Sequence, residues 1–116
     1  MCIRDRCNSL SLKGTILISN EGINIFVAGG RAQIDQLVDF FNSRDKYTGL
    51  PIKESLSDDQ PFSRMLVRIK KEIIAFGVDS VRPSERTSPK LSAQQLKQWL
   101  DEGKPLTLLD LSLIHI

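Results

Sequence analysis

Two short β-branched runs stand early in the chain, Gly14 to Ser19 and Ile23 to Ala28, separated by Asn20-Glu21-Gly22. The pattern predicts a β-hairpin. In the second run Ile23, Ile25 and Val27 share one face while Asn24 and Phe26 take the other, as a period of two requires. Gly29-Gly30 ends it. From Arg31 to about Ser43 the apolar positions Ile34, Leu37, Val38 and Phe41 repeat at i, i+3, i+4 and i+7, the stripe of an amphipathic helix laid on the sheet. Leu50 to Leu56, opening with Pro51, reads as a strand at a sheet edge, where proline's missing N–H is tolerated.

Past a Ser57-to-Pro61 loop, Phe62 to Lys70 alternates again: Met65, Val67 and Ile69 on one side, Arg64, Leu66, Arg68 and Lys70 on the other. One face is apolar and the other largely basic. Lys71 to Phe76 fits a continuing strand better than a short helix. Gly77 to Lys90, with Pro83, Pro89 and several Ser and Thr residues, has the composition of a linker. Ser92 and Gln95 then make a capping box and Gly103 supplies a stop, so Ala93 to about Glu102 is predicted helical, with Leu96, Trp99 and Leu100 on its buried face. Leu106 to Asp110 is an apolar run ending in an acid, the look of a first strand in a parallel α/β sheet.

The order strand, strand, helix, strand over residues 14 to 56 needs a preceding strand and helix to complete a β-α-β-β-α-β sandwich. The fold class is therefore α+β, an incomplete ferredoxin-like (acylphosphatase-like) sandwich, with Cys7 to Leu12 as the tail of the missing helix and its exit.

Composition adds bounds. The length of 116 residues suits one small domain, or one plus the opening of the next, and the net charge of +2 does not by itself demand a polyanionic partner. Any nucleic-acid reading must rest on local clustering. Two cysteines and one histidine allow no zinc site and no structural disulfide once the chain ends are set aside, so neither a metal nor a bound cofactor is expected. No apolar run approaches the roughly 20 residues of a membrane span, and a cytoplasmic setting is the default.

The ends carry a second signal. Met1-Cys2-Ile3-Arg4-Asp5 back-translates as ATG TGT ATA AGA GAC, and Leu111 to Ile116 as CTG TCT CTT ATA CAC ATC. The two are reverse complements, and the shared word resembles a transposase mosaic-end adapter used in DNA library preparation. On this reading residues 1–6 and 111–116 are foreign, residues 7–76 are the partial sandwich, 77–90 the linker and 91–110 the start of a second domain. Cys2 and His115 then drop out of any chemistry.

Three stretches are together similar to one family: Gly14 to Asn24, Phe62 to Ile74, and Leu91 to Asp110, with Glu21-Gly22-Ile23-Asn24 and Arg68-Ile69-Lys70-Lys71-Glu72 the most specific parts. They resemble the rhodanese-related proteins that include the oxygen-dependent tRNA uridine hydroxylases, which form 5-hydroxyuridine at the wobble position. The resemblance implies a ferredoxin-like domain followed by the first helix and strand of a rhodanese-like α/β domain. It implies tRNA as partner and molecular oxygen as co-substrate of a longer parent, whose catalytic cysteine lies beyond Asp110. The chain alone is expected to be inactive. A sulfurtransferase parent and a non-catalytic ferredoxin-like binding module are the alternatives.

Candidate residues follow. Arg64, Arg68 and Lys70, with Lys71 next in line, have the spacing to track phosphates, the alternative being a solvated sheet face. Glu21 to Asn24 is either a binding loop or turn chemistry, with Gly22 at positive φ and Asn20 and Asn24 bonding backbone. Gly29-Gly30 suits a strand-to-helix turn better than a phosphate cradle, and Asp58-Asp59 a solvated loop better than a metal site. Cys7 has no base nearby and is expected to be a small buried thiol, and Trp99 a core residue.

Overall fold

A computed structural model describes residues 2–110. Its organising element is strand β1, Lys13–Ser19, flanked on both sides by other strands. The β-branched sequence makes β1 a good strand, and Ile16 at its middle is fully buried. β2, Gly22–Ala28, runs antiparallel to it with Ser19 opposite Gly22, so the hairpin turns on Asn20 and Glu21 alone. β3, Met65–Ile69, lies parallel on the other side, Gly14 opposite Met65 and Ile18 opposite Ile69. The sheet order is β2-β1-β3.

Two helices cover one face. α1 spans Ile3–Ser9 and α2 spans Arg31–Asn42. Cys7, Leu37 and Phe41 from the helices meet Ile16, Leu10 and Leu12 in the buried core. The edge of the core is closed by Ile23, Ile25, Val27, Met65 and Val67, all on the helix side of the sheet. Of the predicted α2 stripe Leu37 and Phe41 are buried and Ile34 packs against them, with Phe40 rather than Val38 completing the covered face. Phe41, in the last turn of α2, stands edge-on to Phe40 at 5.7 Å and to Tyr47 at 5.6 Å, an arrangement that adds to area burial. Cys7 to Ser9 do end a helix, as expected, and the residues before them, Ile3 to Arg6, form its first turn. The Arg4 guanidinium donates to the Val67 carbonyl at 2.8 Å on the outer edge of β3. Arg6 Nε is buried without a partner, a group native interiors rarely leave unsatisfied.

Several expected elements do not form. Leu50 to Leu56 makes no strand, because it has no ladder neighbour: side chains hold it instead, the Glu54 carboxylate receiving both Arg31 nitrogens at 2.9 and 3.2 Å. That guanidinium keeps the Glu54 carboxyl below its ordinary range, so the tie is present at neutral pH and is lost as pH falls through the lowered value. Lys71 to Phe76 is not a strand either. The Glu72 carboxylate accepts from the backbone N–H of Phe76 and of Gly77 at 3.2 and 3.3 Å, closing a local turn that competes with a ladder. Ile69 is in phase with Met65 and Val67 yet 86% exposed. It lies at the end of β3, beside the first residues of α1 and an open depression lined by Cys2, Ile3, Arg4 and Ile18.

The chain divides into two units, Met1–Arg86 and Thr87–Ile116, with the division inside the stretch expected to be a linker. In the second unit α3 spans Ala93–Asp101, and Ser92 Oγ accepts from the Gln95 N–H at 3.1 Å, as the capping box predicts. Leu106 to Asp110 is not a strand, because the described residues of that unit contain no strand for it to pair with. For the same reason the predicted core face is not buried: Trp99 is only partly covered, with the Lys104 ammonium 4.9 Å from its ring centre, and Leu100 is 50% exposed. Met1 and residues 111–116, assigned to the foreign ends, lie outside the described residues.

Gly14 locks the three strands together. Its N–H donates to the Arg64 carbonyl at 3.0 Å, its φ is +142°, and a Cβ there would lie 2.0 Å from the Phe26 carbonyl oxygen. Gly14→Ala must therefore force β1 and β2 apart, and we expect it to cost at least about 3 kcal/mol. Urea denaturation beside the parent chain measures this; a loss under about 1 kcal/mol would show that the close approach is not needed.

Candidate nucleic-acid interface

The face of the sheet turned away from the helices is set by the same alternation. The strand register puts Phe26, Thr15 and Leu66 in one row and Asn24, Leu17 and Arg68 in the next. None of these belongs to the core cluster, and Phe26 is 62% exposed. Arg64 precedes β3 and Lys70 follows it, so both arginines flank Leu66 as the sequence predicts.

The four predicted cations are all exposed, but they are not equivalent. No ion pair or side-chain hydrogen bond engages Arg64 or Arg68 among the described residues. Lys70 donates from its backbone N–H to the Ile18 carbonyl at 2.8 Å, and its ammonium to the Ile73 carbonyl at 3.3 Å. Lys71 has left the sheet and faces Asp79 at 3.9 Å, a distance and exposure at which an ion pair contributes little. The structure therefore joins Arg64 and Arg68 to the open face, holds Lys70 at its end and separates Lys71 from it.

The Glu21 loop is neither a bare turn nor an open binding loop. Gly22 does take positive φ, at 142°, but the turn is stabilised by Ser19, whose Oγ accepts from the Glu21 N–H at 3.0 Å. The side chains of Asn20 and Asn24 make no hydrogen bond among the described residues, so their expected backbone bonding is absent. Glu21 reaches the segment after β3: its carboxylate accepts from the Ile73 N–H at 3.0 Å in a partly buried setting. No local pattern pairs residues 52 positions apart, though Glu21 opens one of the most specific stretches and Ile73 directly follows the other. Because Ile73 also accepts from Lys70, one residue ties the hairpin tip to the basic strand end.

The remaining candidates are quiet. Cys7 is fully buried, and burial, with a smaller contribution from Cys2, pushes its thiol above the ordinary value, so it is a poor nucleophile. Gly30 caps α2 without a side-chain bond, and the Gln33 carboxamide oxygen fills the space above it. Asp58 and Asp59 are exposed in a loop where Ser57 Oγ donates to the Asp59 carbonyl at 2.7 Å. Among the described residues no group of three His, Cys, Asp or Glu side chains gathers to hold a metal, and no helix is long and apolar enough to cross a membrane.

Strand order and helix placement define an acylphosphatase-like α+β domain. The chain belongs to the UPF0176 acylphosphatase like domain family, whose model matches residues 2–73. It is 47% identical over 113 residues to a protein of Cupriavidus necator named tRNA uridine(34) hydroxylase, a match covering 93% of this chain and 40% of that protein. Proteins of the same name from Burkholderia thailandensis and Burkholderia mallei are each 46% identical, over 117 and 114 residues, covering 93% and 90% of this chain. The chain spans about 40% of the length of these relatives.

The Glu21 tie is directly testable. Glu21→Ala removes the acceptor for the Ile73 N–H, and hydrogen exchange at that amide should accelerate about ten-fold, the loss of a charge-assisted bond worth about 1–2 kcal/mol when partly screened. Glu21→Gln, which keeps an acceptor oxygen, should restore most of the protection. Equal exchange in all three proteins would show that the bond does not hold the segment.

Proposed function

We propose that this chain is the tRNA-positioning part of an enzyme that hydroxylates the uridine at the wobble position of tRNA, in the cytoplasm, with molecular oxygen as co-substrate. The observation that carries the reading is the 46–47% identity, extending over nine-tenths of the chain, to proteins named tRNA uridine(34) hydroxylase. The open sheet face supports it physically: Arg64 and Arg68 project no partner of their own and are placed to neutralise phosphates without reading sequence. We assign no reaction centre to Cys7, whose thiol is buried. We place that centre in a rhodanese-like continuation that begins at α3 and supplies a cysteine beyond Asp110.

A sulfurtransferase parent would use the same residues, so activity decides between the two. The product of the complete locus should form 5-hydroxyuridine in tRNA and should not transfer sulfur from thiosulfate to cyanide, whereas the 116-residue chain should do neither. The reverse activity pattern in the complete product would establish the sulfurtransferase. Replacing Arg64, Arg68 and Lys70 together by Ala should weaken tRNA binding about ten-fold or more at low salt and flatten its salt dependence by about one unit per lost phosphate contact. Unchanged affinity and slope would remove the basic face from the account.

A further inference from the structure

The basic face holds more than its strand β3. The four cations first recognised lie on one strand and its exit, but Lys13 begins β1 beside Arg64, in the same parallel register, and is exposed with no side-chain partner among the described residues. Alternation puts Lys13 on the same side of the sheet as Thr15 and Leu17. On the other side of β1, the edge strand β2 carries Phe26, 62% exposed and opposite Thr15, with Asn24 one row away. No acidic residue occurs in β1, β2 or β3, although the chain contains 14. An overall charge of +2 therefore conceals a sheet surface on which Lys13, Arg64 and Arg68 are opposed by no carboxylate.

We infer that this open face binds an unpaired stretch of RNA, with Phe26 on the edge strand β2 stacking on a base and Lys13, Arg64 and Arg68, across β1 and β3, holding the phosphates of the neighbouring nucleotides. The inference rests on the proposed tRNA-binding role and specifies which part of the RNA is taken. Charge complementarity selects a polyanion. Phe26 selects its form: in a duplex the base faces are already stacked on one another, so an exposed ring finds no partner there, whereas an unpaired loop offers bases that can be splayed onto it. Thr15 and Asn24 supply a hydroxyl and a carboxamide beside the ring, groups able to bond base edges or a 2′-hydroxyl. Lys71, paired with Asp79 and off the sheet, is left out of the site.

The test is fluorescence polarisation with the 116-residue chain and two labelled RNAs, a hairpin with an unpaired loop and a fully paired duplex of the same length. The hairpin should bind more tightly. Phe26→Leu, which keeps an apolar side chain and removes the ring, should weaken hairpin binding about ten-fold and leave duplex binding unchanged, while Phe26→Trp should retain or improve it. Lys13→Gln should weaken both RNAs and lower the salt slope by about one unit. Thermal melting of each variant confirms that the exposed substitutions leave the fold in place. Equal affinity for hairpin and duplex, or a Phe26→Leu variant that binds the hairpin as the parent chain does, would overturn the inference. If the complete gene product hydroxylates tRNA and these variants bind normally, the inference fails alone; if it does not hydroxylate tRNA, the proposed function fails independently of the binding result.

Discussion

The contact between Gly14 and the Phe26 carbonyl is the constraint on which the rest of the domain depends. A side chain at position 14 would lie 2.0 Å from that oxygen, so only glycine lets β1 come within ladder distance of β2 while its own N–H reaches the carbonyl of Arg64, just before β3. With both neighbours fixed, the period of two distributes the sheet residues between its faces without further choice. Ile16 goes to the core with Ile25 and Val67; Thr15 goes to the opposite side with Phe26 and Leu66. A slip of one residue would bury Arg68 and expose Ile16. The hydrophobic core and the basic face are thus two consequences of one register.

The hairpin and the Leu37–Phe41 stripe of α2 were legible in the sequence because each is specified by a local period and a local stop. So was the α3 cap, since Ser92 and Gln95 are three residues apart. The elements that failed share a different property. Leu50 to Leu56 and Leu106 to Asp110 have strand-like composition, but a strand is a relation to a neighbour, and periodicity says nothing about whether one is present. Ile69 shows the same limit on a smaller scale, being correctly phased yet exposed because the layer above it ends. Lys71 to Phe76 departs from a strand for a local reason: the Glu72 carboxylate offers two backbone N–H groups a turn in place of a ladder.

The candidate site was half visible. Arg64 and Arg68 follow from alternation within one strand, but Lys13 and Phe26 join them only through the pairing of three strands, which no single-segment pattern contains. The Glu21 bond to Ile73 is likewise invisible before folding, yet it explains why the glutamate at the hairpin tip and the Lys70-Lys71-Glu72 segment belong to one structure. Electrostatics reinforce the separation of roles. Acidic residues are confined to helices, loops and turns, where Asp35 and Glu54 neutralise Arg31, while the strands carry none. The sheet's open side is left positive by that partition rather than by a high net charge.

On the proposed reading the domain is a basic platform, with the exposed ring of Phe26 on its edge strand β2, that holds an RNA. The most direct test is amide chemical-shift mapping of the chain during titration with an unpaired-loop RNA. Shifts concentrated at Lys13, Thr15, Asn24, Phe26 and Arg68, with the outer surfaces of α1 and α2 unmoved, are the predicted result. Shifts confined to the helices, or spread evenly over both faces of the sandwich, would contradict the assignment of the sheet face as the RNA surface.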